Sequence, residues 1–216
     1  NQRYYERYPE DVERAQEIVE YLATHEVRLT DGDRLSPRRF QQLGFHFGAS
    51  DGFEQTHYLL EMAFVQGTSG KEVHYKFLRG LENSYFFETN PIFAILHEAI
   101  YCQEAASCWA AHRVRAEYPE FELQPGKPVY FTGEMIYPWL FDEYKCLRPL
   151  KEAAEVLAAY DGWPRLYDVN VLRSNSVPCV AAVYYNDMYV ERSFSEETAQ
   201  NIRGIKLWIT NEYEHN

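Results

Sequence analysis

The sequence predicts an α/β fold that is predominantly helical, with a few parallel strands confined to its last third. Two observations carry this expectation. Apolar residues recur at helical spacing through the first two-thirds. The last third then alternates: the short β-branched and aromatic runs VPCVAAVYYNDMYV and GIKLWITNEYEH flank the helical stretch SFSEETAQNIRG. The order strand, helix, strand belongs to a parallel sheet. Two such strands leave both faces and both edges needing cover, so a missing upstream segment or a second copy of the chain is expected to supply more of the sheet.

Taken in order, Pro9, the acidic Glu10 and Asp11, and the apolar series Val12, Ala15, Ile18, Val19, Leu22 and Ala23 predict the first helix. Thr30 to Arg34 reads as a turn. Ser36-Pro37 restarts a helix through Phe40 and Leu43, because Ser satisfies free N–H groups and Pro suits a first helical position. Asp51 and Glu54 have capping-box spacing ahead of Tyr58, Leu59 and Met62. Asn90-Pro91 opens the longest periodic run, with Ile92, Ile95, Leu96, Ala99 and Ile100 on one side. Pro149 begins a helix through Ala154 and Leu157. Ser193 and Glu196, again at capping-box spacing, open the helix between the strands, and Gly204 suits its end.

The 216 residues are 46% hydrophobic and 25% charged, which is the composition of a folded chain with a real core. Lys and Arg number 21 against 33 Asp and Glu, a net charge of −12. That balance argues against nucleic acid and anionic membrane as partners; an amine-bearing ligand fits it, as does a merely solvated acidic surface. Cys102, Cys108, Cys146 and Cys179 form no disulfide frame, so reduced thiols and a cytoplasmic location are expected. No apolar run has membrane-span length. The start NQRYYERYPED has neither a signal-peptide core nor an initiator Met, and the chain is expected to begin inside a longer reading frame.

Gly48-Ala49-Ser50-Asp51-Gly52 satisfies the G-x-S-x-G pattern of the α/β-hydrolase nucleophile. That serine needs a buried strand running into it, whereas SPRRFQQLGFHFG carries Pro, two Arg, two Gln and no β-branched residue. A helix-to-helix turn is the better reading of Ser50. Asp187 and His215 follow the two predicted strands, at the carboxyl ends where catalytic side chains gather in open α/β sheets. Their order suits an acid that orients a histidine base. A turn aspartate and a terminal histidine are the plain alternative. His97-Glu98 begins H-E-x-x-H, but position 101 is Tyr, so no metal site is expected. His46 and His57 read as packing or surface residues, and no phosphate loop or cofactor motif is present.

The segments FTGEMIYPW (131–139), NPIFAILHEAIYCQ (90–103), VPCVAAVYYNDMYV (177–190) and WITNEYEH (208–215), with RYPEDVER near the start, resemble the long bacterial form of proline iminopeptidase. This is a serine exopeptidase family of α/β-hydrolase fold with a helical cap. The resemblance covers only the carboxyl-terminal portion of such an enzyme, since the family's nucleophile elbow, usually Gly-Gln-Ser-x-Gly-Gly, and its oxyanion segment have no counterpart here. It implies that 1–148 form a large helical cap and 149–216 the last strands and helices of the hydrolase core. It further implies that Asp187 is the triad acid and His215 the triad base, and that Glu134 and Glu98 bind the free amine of an N-terminal proline. The expected substrate is a peptide with an N-terminal proline.

The residues support amine recognition on their own terms, because buried carboxylates are satisfied only by a terminal cationic amine and so reject internal proline. Tyr137 and Trp139 would wall the pyrrolidine ring, or pack as ordinary core. Glu82 competes with Glu98 for the second carboxylate. Without its nucleophile the chain alone is expected to be inactive. Two other readings stand beside this one: a non-catalytic binding module that retains the cap, and another cap-bearing hydrolase such as an esterase or epoxide hydrolase.

Overall fold

A computed structural model describes residues 1–68 and 70–215. Short helices dominate it. Among the described residues, four strands form two separate two-stranded sheets. Among these residues no helix is long and apolar enough to cross a membrane.

The first predicted helix forms as Asp11–Thr24 and buries Ala15, Ile18 and Leu22. A short helix that the sequence pattern did not reveal, Gln2–Arg7, precedes it and buries Tyr4. The two are joined through Asp11, a fully buried carboxylate. It accepts from Tyr4 Oη and from Arg14 Nη1 at 2.7 Å, and lies 3.0 Å from His57 Nδ1 on the helix Gly52–Glu61. A carboxylate taken out of water is tolerable only when bonded this fully. His57 is therefore a packing residue, stacked on Tyr8 with ring centroids 3.9 Å apart.

Ser36 caps the helix Pro37–Gln41 as expected, its Oγ accepting from Arg39 N at 3.2 Å. Chain direction then changes through a 3₁₀ segment, Gln42–Gly48. Arg39 is fully buried between the rings of Tyr85 and Tyr144, with its guanidinium carbon 4.9 and 3.8 Å from their centroids. It donates to Glu88 at 2.6 Å and to the Glu143 carbonyl at 3.3 Å.

Three expectations need correction. The run from Asn90 is not one periodic helix: it divides into Pro91–Leu96, a 3₁₀ turn Ala99–Tyr101, Ala110–Arg115 and a 3₁₀ turn Pro119–Phe121. Left-handed backbone at Glu104, Cys108 and Trp109 (φ 52°, 45° and 56°) breaks it. The Glu98 carboxylate instead receives Ala110 N at 3.1 Å and Ala111 N at 2.9 Å, so a tertiary bond satisfies the new helix start. Ala94 and Ala99 are buried, while Ile92 and Ile100 face outward.

Second, residues 64–73 are not helical. Strand β1 (Phe64–Gly67) pairs antiparallel with β2 (Gly70–Val73), Phe64 opposite Val73. Third, neither predicted capping box forms. Asp51 makes no cap bond and accepts instead from Gln55 Nε2 at 2.7 Å. The last helix is Arg192–Gln200, and the Glu191 side chain rather than Ser193 caps it.

The end of the chain follows the expected order. Strand β3 (Cys179–Tyr184) and β4 (Ile205–Thr210) pair in parallel, Cys179 opposite Ile205 and Tyr184 opposite Thr210, with the helix Arg192–Gln200 between them in sequence. Gly204 has φ 79° just before β4, a conformation that favours glycine. The pair is open: Val180 is 76% exposed and Trp208 51%. The helix Lys151–Ala159, near the expected start at Pro149, buries Ala154 and Ala158 against the helical body.

The G-x-S-x-G stretch is the turn between the 3₁₀ segment and the helix Gly52–Glu61, and Ser50 is exposed on it. Its glycines serve close approach. A Cβ on Gly52 would lie 1.6 Å from the His46 carbonyl oxygen, and one on Gly48 would lie 2.2 Å from the Tyr189 ring. We predict that Gly52→Ala lowers stability by about 1–3 kcal/mol, because backbone must move to admit the methyl. Ser50→Ala should change it by no more than about 0.5 kcal/mol. Chemical denaturation of the two variants checks both, and equal effects would contradict this packing.

Candidate active site

The site begins with an extended segment held on both sides. Asn1 exchanges two bonds with Phe131, at 2.9 and 2.6 Å. Tyr5 Oη donates to the Val129 carbonyl at 2.5 Å. Gln41 then grips the same segment: Thr132 N donates to its carbonyl at 2.9 Å, and its Nε2 donates to the carbonyls of Tyr130 and Phe121 at 2.9 Å each. The approach is so close that a Cβ on Gly44 would sit 2.4 Å from the Thr132 carbonyl oxygen. These bonds carry the chain to Glu134, two residues beyond Thr132.

Glu134 lines a cavity of about 400 Å³, together with Phe47, Phe131, His97, Glu98, Met188 and Tyr189 among others. It accepts no hydrogen bond among the described residues. Burial raises its pKa above the ordinary 4.5; the nearby His215 opposes that shift and Asp187 adds to it. Glu98 lines the same cavity but spends both carboxylate oxygens on the start of the helix Ala110–Arg115. Glu82 lies elsewhere, bonded to Thr30 at 2.7 Å and paired with Arg79 at 2.5 Å.

Tyr137 and Trp139 stack on each other, centroids 5.7 Å apart, and both are buried. Neither lines the cavity that holds Glu134; Tyr137 faces an adjoining apolar cavity of about 280 Å³. The apolar wall near Glu134 comes from Phe47, Phe131, Ile136, Met188 and Tyr189. Sequence reasoning missed this set. Its signal was present for Met188 and Tyr189, which directly follow Asp187 in the YYNDMYV motif.

Asp187 sits three residues past β3, and His215 five past β4. Asp187 Oδ1 accepts Tyr189 N at 2.8 Å and Val190 N at 3.0 Å, a local turn that fixes the carboxylate. Its other oxygen, Oδ2, lies 2.9 Å from His215 Nδ1. The aspartate side chain is 5% exposed and the imidazole 46%. The histidine is also held from behind, since its backbone N donates to the Gly48 carbonyl at 3.2 Å and its ring meets the Tyr189 ring edge-on, with centroids 4.8 Å apart. Tyr189 in turn donates to the Phe45 carbonyl, and burial pushes its phenol up to about 12. The structure thus brings Asp187, His215 and Glu134 together and leaves Glu82 apart. Ser50 makes no bond to His215 among the described residues.

Asp31, Asp33 and Glu88 form a carboxylate cluster close enough to hold a cation. It is already answered by cations of the chain, Arg39 on Glu88 and Asp33, and Arg148 on Asp33, with Lys145 N donating to Asp33 at 2.6 Å.

The raised pKa of Glu134 has a consequence for stability. A carboxyl whose folded pKa exceeds its unfolded value stabilises the protein below the unfolded pKa, and that contribution is lost as pH rises through the folded value. Glu134→Gln should therefore raise the melting temperature at pH 7 relative to wild type, and the gap should close toward pH 4. Thermal melts across that range check this, and an unchanged or lowered melting temperature at pH 7 would contradict it.

No family model matches the chain. Two curated relatives do. A proline iminopeptidase of Aeromonas sobria is 47% identical over 216 residues, covering 100% of this chain and 50% of that protein. A proline iminopeptidase of Aspergillus aculeatus is 36% identical over 221 residues, covering 100% of this chain and 48% of its own length. Over its whole length the chain is similar to these two proline iminopeptidases, and it spans about half the length of each.

Proposed function

We propose that this chain is the carboxyl-terminal portion of a prolyl aminopeptidase, with residues 1–148 as helical cap and 149–216 as the end of an α/β-hydrolase core. The single observation that carries this reading is the 2.9 Å Asp187–His215 pair beyond the ends of two parallel strands, beside Glu134, which accepts no hydrogen bond among the described residues. The matched relatives are both named for this activity, and the open faces of the β3–β4 pair suit a larger sheet that includes the remaining length.

In this reading the substrate is a peptide with an N-terminal proline, met in the cytoplasm, and no cofactor takes part. Glu134 pairs with the cationic secondary amine. A carboxyl raised by burial loses that penalty when a cation arrives, so binding energy depends on a free terminus. Phe47, Met188 and Tyr189 offer apolar contact to the ring. Asp187 accepts a hydrogen bond from Nδ1–H of His215 and thereby holds the tautomer in which Nε2 is the base. A serine from the upstream half loses its proton to Nε2 as its oxygen bonds to the proline carbonyl carbon. The same proton passes to the leaving amine as the C–N bond breaks, and water then releases proline by the reverse sequence.

Hydrolysis of proline β-naphthylamide by the full-length protein tests this. His215→Ala should lower kcat by at least about 10³-fold, and Asp187→Asn by about 10³–10⁴-fold through loss of the correct tautomer. Absence of turnover in the unaltered full-length protein would defeat the peptidase reading and leave the binding-module one. To separate an esterase, Glu134→Gln should weaken proline-amide cleavage far more than cleavage of a simple ester, and equal losses would count against amine recognition.

A further inference from the structure

The wall of the cavity beside Glu134 includes a partly buried polar ring that the proposed chemistry leaves without a task. This ring is His97. The ring leans on Phe93, with centroids 4.5 Å apart, and meets Tyr101 edge-on at 5.9 Å. Its Nδ1 is enclosed and has no partner among the described residues. Burial lowers its pKa, against the pull of neighbouring Glu98.

An enclosed N–H without an acceptor is rarer and costlier than an enclosed bare lone pair. Protonating Nδ1 would create such an orphan, so the ring stays neutral and carries its hydrogen on Nε2. Nε2 makes no bond within the described residues either. His97 is therefore an uncharged donor in the wall of a cavity whose lining also includes two acids, Glu134 and Glu98.

We infer that His97 is a specificity-determining residue whose Nε2–H donates to the backbone carbonyl oxygen of the residue after the N-terminal proline. A donor cannot receive an ammonium group, and Glu134 is free to do so. The proline carbonyl is committed to the reacting end at His215. The next acceptor along a peptide is the carbonyl of the second residue, and a cavity of about 400 Å³ has room for more than one proline ring. This inference rests on the aminopeptidase reading and adds the leaving side of the substrate to it.

The test compares two substrates with the full-length protein. Pro-Ala amide has the second carbonyl; proline β-naphthylamide lacks it. His97→Phe should lower kcat/KM about tenfold on Pro-Ala amide, the worth of one hydrogen bond, and about twofold or less on the naphthylamide. The naphthylamide rate also reports that the variant is folded. His97→Gln, which restores an N–H donor, should recover most of the peptide rate. Equal losses on both substrates, or no loss on either, would overturn the assignment. Glu134→Gln serves as the separate control: it should depress both substrates, and if it spares both, amine recognition fails independently of the His97 result.

Discussion

Three glycines on one short stretch set the geometry on which the rest depends. Between residues 44 and 52 the backbone receives other parts of the chain so closely that a β-carbon would collide: Thr132 against Gly44, Tyr189 against Gly48, and the His46 carbonyl against Gly52. The first contact seats the extended segment that leads to Glu134. The second seats the loop that leads away from Asp187. Because Gly48 also offers its carbonyl to His215 N, one turn of backbone references the carboxyl, the imidazole and the acid to a single frame. The roles proposed for these groups demand side-chain placement to within a fraction of an ångström, and close contacts to backbone favour it.

Polar groups buried elsewhere keep that frame stiff. Asp11 collects Arg14 from its own helix and Tyr4 and the His57 ring from two others, and Arg39 lies between two tyrosine rings with carboxylates at its ends. Each is costly to bury and would be costlier to leave half-paired. Both therefore favour one arrangement of the short helices over the many that apolar contact alone would allow. Helices of four to ten residues have little intrinsic stability, so tertiary bonds of this kind matter more here than propensity.

This explains what was legible beforehand. The helix Asp11–Thr24, the Ser36 cap, the parallel β3–β4 pair and the positions of Asp187 and His215 past its strands all follow from periodicity, cap chemistry and strand order. The break of the 90–121 region does not, because it depends on Glu98 reaching forward to the amides of Ala110 and Ala111, a contact invisible to periodicity. The hairpin of β1 and β2 was hidden by its brevity, four residues to a strand. The apolar lining near Glu134 was misjudged for a similar reason: Tyr137 and Trp139 adjoin it in sequence, yet their rings stack on each other. The G-x-S-x-G pattern shows the converse hazard, since its glycines answer to packing and its serine is exposed.

The proposed base needs a hydrogen held between Asp187 and His215 Nδ1, with Nε2 left free. Nitrogen-15-edited proton NMR of the full-length protein, labelled at histidine, observes that hydrogen directly. We expect a far-downfield proton on His215 Nδ1 that is absent in His215→Gln and is lost in Asp187→Asn as the ring changes tautomer. A His215 ring whose proton resides on Nε2, or whose Nδ1 signal is indifferent to Asp187→Asn, would contradict it.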